Sequence, residues 1–239
     1  DETGINIGGK RHWLHGLSND LWTLYHAHKK RGAEAMNDMG ILPMFRGTLC
    51  HDHWKPYYKY NCTHALCNAH HLRELTRAWE QDGQQWAKQM KDLLETINRK
   101  VTDAGGVLSP TQSQQYRDVI KIAEIECPEP TRANKKGKRG RIKKSKSRNL
   151  LERLRDYETD TLRFMDVDYV PFTNNLGEND IRMIKVQQKI SGCFRSMDGA
   201  QIFCRVRGYL STCRKQGIKS SRALEMLFSG KIPAFLLQE

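Results

Sequence analysis

The chain has 239 residues, of which 38% are hydrophobic, with a mean hydropathy of −0.72, a net charge of +13 and a pI near 9.5. This length accommodates one large domain or a domain with an insertion, and the charge points to a polyanion partner, nucleic acid ahead of an anionic membrane surface. No apolar run approaches bilayer length and no signal peptide opens the chain, while an odd count of seven cysteines fits reduced thiols in a cytosol better than a disulfide framework.

In chain order, Thr3–Ile7 alternates in period two, Gly8-Gly9 reads as a turn, and His12–Leu17 resumes the alternation. Asn19-Asp20 is a second turn signal before Leu21–His26, so the opening is expected to be a three-stranded antiparallel meander. Residues 31–40 read as a short helix stopped by Gly40. Gly47–Asp52 is a short apolar run ending on an acid, a buried central strand with Asp52 at its C-terminal end, where open α/β sheets place their sites. His53–Tyr58 is an aromatic and cationic loop, Cys62–Cys67 a fifth strand, and His70–Glu80 a helix striped by Leu72, Leu75 and Trp79.

After Asp82 the character changes. Trp86, Met90, Leu93, Ile97 and Val101 mark an amphipathic helix, and a second covers 111–126 before Pro128 and Pro130. Residues 135–148 hold nine Lys or Arg and no acid, the pattern of an exposed or disordered loop. A third helix is expected over 150–165. The stretch from Thr173 to Arg182 reads as the start of another, with Thr173 or Asn174 as cap and Glu178 near the first turn. Asp198 is placed to cap a further helix that Gly217 ends, and Ser220 or Ser221 a last one that stops near Gly230.

Three strands, a helix, a strand carrying Asp52, another strand and helix, and later a helix carrying an acid is the element order of an RNase H-like domain. In that architecture acids on the first strand, the fourth strand and a late helix converge. Convergent carboxylates repel one another, and oxygen-only ligation with room for water suits Mg²⁺ or Mn²⁺. Two such ions, roughly 3.5–4 Å apart, activate an attacking oxygen and stabilise a leaving one at a phosphodiester. Taken singly, Asp1, Asp52 and Glu178 would each read as an ordinary surface acid; the element order sets them together.

His51–Tyr57, Cys67–Leu75, Asn174–Arg182 and Lys185–Ser196 resemble the corresponding motifs of the IS66 family of insertion-sequence transposases, and the likeness covers nearly all of 1–230. The resemblance implies a DDE transposase catalytic domain of the bacterial cytoplasm, with Asp1, Asp52 and Glu178 as catalytic metal ligands. The fold class it implies is α/β: an RNase H-like mixed sheet flanked by helices, with an α-helical insertion before the last catalytic helix. The expected parts are core residues 1–82, an insertion 83–166 with the basic loop 135–148, and core residues 167–239. An upstream zinc-finger-like and coiled-coil region is implied to be absent here. Family members also carry apolar residues before the first acid, so the first strand is expected to be truncated at Asp1 and this fragment to be a poor or dead catalyst.

Arg182, Lys185 and Lys189 share the Glu178 face at helical spacing and are the leading candidates to touch DNA. Trp54 and Lys55, beside Asp52, and Lys143 and Lys144 in the basic run are further candidates; Trp54, Tyr57 and Tyr58 read equally as stacking platforms or as half-buried loop anchors. Cys67 and His70 have metal-like spacing, but a structural zinc needs four ligands and no second pair matches, which favours a structural or DNA-proximal role. The sequence reading is therefore metal-dependent strand cleavage and strand transfer on double-stranded DNA, transposon ends and target, by a homo-oligomer on DNA, with no membrane partner. Water attacks at the transposon end and frees a 3′-OH, which then attacks target DNA. The rivals are another RNase H-like nuclease and a non-enzymatic, zinc-stabilised DNA-binding module.

Overall fold

The structure, a computed structural model, describes residues 1–108, 110–130 and 142–237. Its strands are β1 (Glu2–Ile7), β2 (Lys10–Ser18), β3 (Thr23–His28), β4 (Thr48–His51) and β5 (Thr63–Leu66). Its helices are α1 (Ala33–Asp38), α2 (Asn68–Asp82), α3 (Gln85–Ala104), α4 (Thr111–Glu126), α5 (Lys146–Asp156), α6 (Glu158–Asp166), α7 (Asn175–Ser191), α8 (Met197–Lys215) and α9 (Ser220–Phe228). The content is mixed α/β with small sheets, and the chain divides into two compact units.

The first unit comprises Asp1–Arg46, Trp54–Asn61 and Asn175–Glu239. Its sheet is the expected meander, antiparallel in the order β1-β2-β3. Gly8 and Gly9 both take positive φ (54° and 77°), the backbone a two-residue hairpin turn requires. Asn19 makes the second turn by accepting the Leu21 and Trp22 amides on Oδ1. Alternation puts Thr3, Ile5 and Ile7 on the buried face, and the two isoleucines join Leu14, Tyr25 and Ala27 in one core with Ile181 and Ile184 of α7 and Ala200 and Cys204 of α8. Gly208 lets α8 approach β3, since a Cβ there would sit 3.2 Å from the Thr23 carbonyl. Phe194 bridges to Ile7 and exchanges backbone bonds with Asn6 and Gly8, which pins the chain between α7 and α8 along β1.

The second unit comprises Gly47–His53 and Cys62–Asn174. Here β4 and β5 pair in parallel, Thr48 opposite Thr63 through His51 opposite Leu66. The stripe of α3 buries Trp86, Met90, Leu94 and Ile97 against Tyr116 and Ile120 of α4 and Leu150, Leu151 and Leu154 of α5. Leu94 rather than Leu93 is the fully buried member of that stripe, Leu93 lying at its margin. The single helix expected over 150–165 is two, broken at Tyr157, which serves as C-cap of α5 and N-cap position of α6.

The basic run differs from its expectation where it is described. Residues 135–141 lie outside the described residues, but α5 begins at Lys146 and buries Ser147 and Arg148. Ser145, not part of an open loop, caps α5 by accepting the Arg148 amide. The Arg148 guanidinium is held by Glu124, by Glu152 at 3.0 Å and by Glu129 at 3.4 Å, and it donates to the Cys127 carbonyl at 2.8 Å. A buried arginine survives because its donors meet acids and a carbonyl.

Candidate active site

In the first unit, Asp1 sits at the head of β1. Its backbone exchanges both ladder bonds with Gly16 of β2, Asp1 N to Gly16 O at 3.0 Å and Gly16 N to Asp1 O at 2.8 Å, and its Oδ1 accepts the Glu2 amide at 2.8 Å. Period two sets Asp1 on the face of Thr3, Ile5 and Ile7, which is the face that α7 covers. The helix packs closely on Gly16: a Cβ there would lie 3.0 Å from Ile181 Cγ1. Glu178 stands one turn before Ile181, in the first turn of α7, where the helix dipole favours an acid. Asp1 thus lies on the sheet face covered by α7, the helix that carries Glu178 in its first turn.

Asp180 locks that helix. It is buried, accepts Lys215 Nζ at 2.7 Å and the Thr23 hydroxyl at 3.3 Å, and its carbonyl takes the Tyr25 hydroxyl at 2.8 Å. Lys215 satisfies its remaining donors on the carbonyls of Asn19 and Trp22. Thr212 adds a reciprocal pair to the Thr23 backbone. On the opposite face of the sheet, Glu2 is buried to 3% side-chain exposure, accepting Arg31 Nε at 2.7 Å and the Tyr57 hydroxyl at 2.8 Å. Arg31 lies 3.9 Å from the Trp54 ring centroid, so Trp54 is partnered by a cation. Tyr57 is buried. Sequence reasoning missed Asp180, Lys215, Glu2 and Arg31. A signal existed for Asp180, an acid on the Ile181–Ile184 stripe; none existed for Glu2, on the outer face of an edge strand.

Arg182, Lys185 and Lys189 are exposed along α7, flanking the buried stripe on the side of Glu178. Lys55 is exposed at the start of the 3₁₀ turn Lys55–Lys59.

In the second unit, Asp52 is half-buried directly after β4, at its C-terminal end. The next residue, His53, is left-handed at φ 69°, donates its amide to His51 Nδ1 at 3.1 Å, and sets its ring edge-on to Tyr157. His51 is buried and hydrogen-bonded to His64 at 3.0 Å; burial, then the neighbouring His64, push its pKa down to about 3. Cys67 occupies the N-cap position of α2, and its thiol accepts the Asn174 amide at 3.1 Å. Burial raises that thiol, but the hydrogen bonds from His70 and Asn174 outweigh it and the pKa is lowered. Cys67 and His70 are therefore brought together, and the Cys67 thiol holds the residue that precedes α7. Lys143 is exposed, whereas Lys144 pairs with Glu152 and Glu129.

Among the described residues no helix is long and apolar enough to cross a membrane. Comparison with curated proteins found no match, and comparison with solved structures found none. Residues 1–202 match the family model described as Transposase IS66 family. With most of the chain covered by that model, the protein belongs to the IS66 family of transposases.

Proposed function

We propose that this chain is the catalytic domain of a DNA transposase that cleaves transposon ends and transfers the freed strand to target DNA. Asp1, Asp52 and Glu178 are its three acids, on an RNase H-like core into which a helical segment is inserted. What supports this most directly is membership of a transposase family, with Asp1 on the sheet face covered by the helix that carries Glu178. The chemistry of the donors suits a hard divalent cation: Asp1, Asp52 and Glu178 are each half-buried carboxylates that offer oxygen only. Magnesium or manganese held by them would supply activation of an attacking oxygen and stabilisation of a leaving one.

The chain's own residues have separate tasks. Arg182, Lys185 and Lys189 hold the phosphates of the strand being cut, without reading sequence. Trp54, Lys55, Lys143 and Lys144 add contacts to the DNA backbone, and the Cys67 thiol, with His70 beside it, holds the Asn174 amide. The protein works as a homo-oligomer on double-stranded DNA in the bacterial cytoplasm. Hydrolysis at the end frees a 3′-OH, and that hydroxyl attacks the target. Neither step calls for a covalent bond to a side chain.

Glu178→Gln in the full-length protein tests the reading. Strand cleavage and transfer of end-bearing DNA are expected to fall to background while DNA binding persists; transposition at the parental level overturns the assignment.

A further inference from the structure

We infer that Glu2 and Asp180 are positioning residues, each built to fix the carboxylate beside it; the inference rests on the function proposed above. The two share one construction. Each is a buried carboxylate in the first unit, each accepts one cation and one hydroxyl, and each stands within two residues of a candidate metal ligand: Arg31 and Tyr57 on Glu2 next to Asp1, Lys215 and Thr23 on Asp180 next to Glu178.

The two devices act from opposite sides of the sheet. Glu2 holds the head of β1 from the outer face, where Trp13 and Trp54 both stack on Arg31. Asp1 alternates to the inner face and hydrogen-bonds its carboxylate to the Glu2 amide, so a shift at Glu2 moves Asp1 directly. Asp180 sets the rotation of α7. Its carboxylate is tied to the end of α8 through Lys215 and to β3 through Thr23, and its carbonyl is tied to Tyr25. Two residues earlier, Glu178 shares that rotation. A plain stabilising pair would do as well with an apolar replacement. A fully satisfied ion pair holds a helix at one angle, which a divalent cation shared by several carboxylates demands. Substitution of groups that orient ligands costs roughly 10–100-fold in metal affinity or activity.

The test measures Mn²⁺ binding by the EPR signal of free ion, together with single-turnover cleavage of end-bearing DNA, on the full-length protein. Asp180→Asn and Glu2→Gln are expected to weaken Mn²⁺ binding and cleavage by roughly 10–100-fold, with DNA affinity within about twofold of parental. Thr23→Val and Tyr57→Phe, which remove only the hydroxyl donors, are expected to give smaller losses of the same kind, and Thr23→Ser to restore the parental values. These milder variants carry the test if either carboxamide fails to fold. Glu152→Gln, in the ion cluster of the second unit, is the control: it lowers thermal stability and leaves Mn²⁺ binding unchanged. Parental Mn²⁺ affinity and cleavage in folded Asp180→Asn or Thr23→Val overturn the positioning role. Undiminished Mn²⁺ binding in Asp1→Asn and Glu178→Gln overturns the metal-site reading beneath it, a separate and distinguishable result.

Discussion

Arg148→Met is the substitution that best separates a buried structural cation from a DNA contact. Arg148 lies in the basic run, yet its side chain is 2% exposed and meets Glu124, Glu129, Glu152 and the Cys127 carbonyl. Methionine keeps most of the aliphatic volume and removes the charge and every donor. Removing one partner of a fully buried ion pair costs about 3–5 kcal/mol. Here the stranded acids differ: Glu129 is 66% exposed and Glu124 32%, so both regain water, and Glu124 keeps Arg155 while Glu152 keeps Lys144. The Cys127 carbonyl loses a charged donor, and the pair cost is reduced by this solvation, leaving roughly 2–4 kcal/mol. Trp86, fully buried in the same core, reports the transition in urea by fluorescence. The salt dependence of duplex binding should keep its slope, because Arg148 does not face solvent. A variant of parental stability whose salt slope falls by about 0.9 would show that Arg148 reaches phosphate and that the ion cluster is misjudged.

Three further outcomes are expected. Gly16→Ala drives a methyl to 3.0 Å from Ile181 Cγ1, destabilising by about 1–3 kcal/mol. Ile181→Ala in the same chain should show favourable coupling in a thermal double-mutant cycle, and strict additivity would deny the close approach. Replacing Arg182, Lys185 and Lys189 by alanine should lower the log–log salt slope of DNA binding by about 0.9 for each phosphate no longer neutralised, equally on all sequences; an unchanged slope in the triple variant removes α7 from the interface. Stability should fall in acid, because burial pushes His51 and His71 down to about 3 and His15 to about 4. Each is neutral in the fold and binds a proton in the unfolded chain below about pH 6.5, so stability is full above that pH and is lost as pH falls toward the folded values. Each histidine contributes about 2 kcal/mol of loss by pH 5; a urea midpoint unchanged between pH 7.5 and 5 would refute their neutral burial.

The elements were largely legible because their signals are local. Gly8-Gly9 and Asn19 mark the two meander turns, and Gly83 and Gly105, with φ of 70° and 65°, stop α2 and α3. The errors are local too. The Tyr157 break leaves no Gly or Pro to announce it, and Ser196 rather than Asp198 caps α8 by accepting the Gly199 amide. In the candidate site, the position of Asp52 after β4 and of Glu178 in the first turn of α7 followed from pattern. Their supports did not, because those are contacts across long sequence separations, Thr23 with Asp180 and Lys215 with Asn19.

What decides the fate of a charge in this chain is its angle on the helix, and composition conceals it. The run before α5 holds no acid, so composition assigns its cations to solvent or phosphate. Yet Arg148 stands one turn before Leu151, on the arc that buries Leu150, Leu151 and Leu154, and its acids come from α4, from the flank of α4 and from Glu152 of α5 itself. Asp180 likewise stands one turn before Ile184, on the buried arc of α7, and finds Lys215 there. Arg182, Lys185 and Lys189 fall just off that arc, on the side of Glu178, and remain exposed. A charge on an apolar stripe must bring its counter-ion into the fold, and it then serves to set an angle. A charge beside the stripe keeps its water until a phosphate replaces it. The same helix therefore carries both kinds, one holding Glu178 in place and the other available to the strand that Glu178 is proposed to cut.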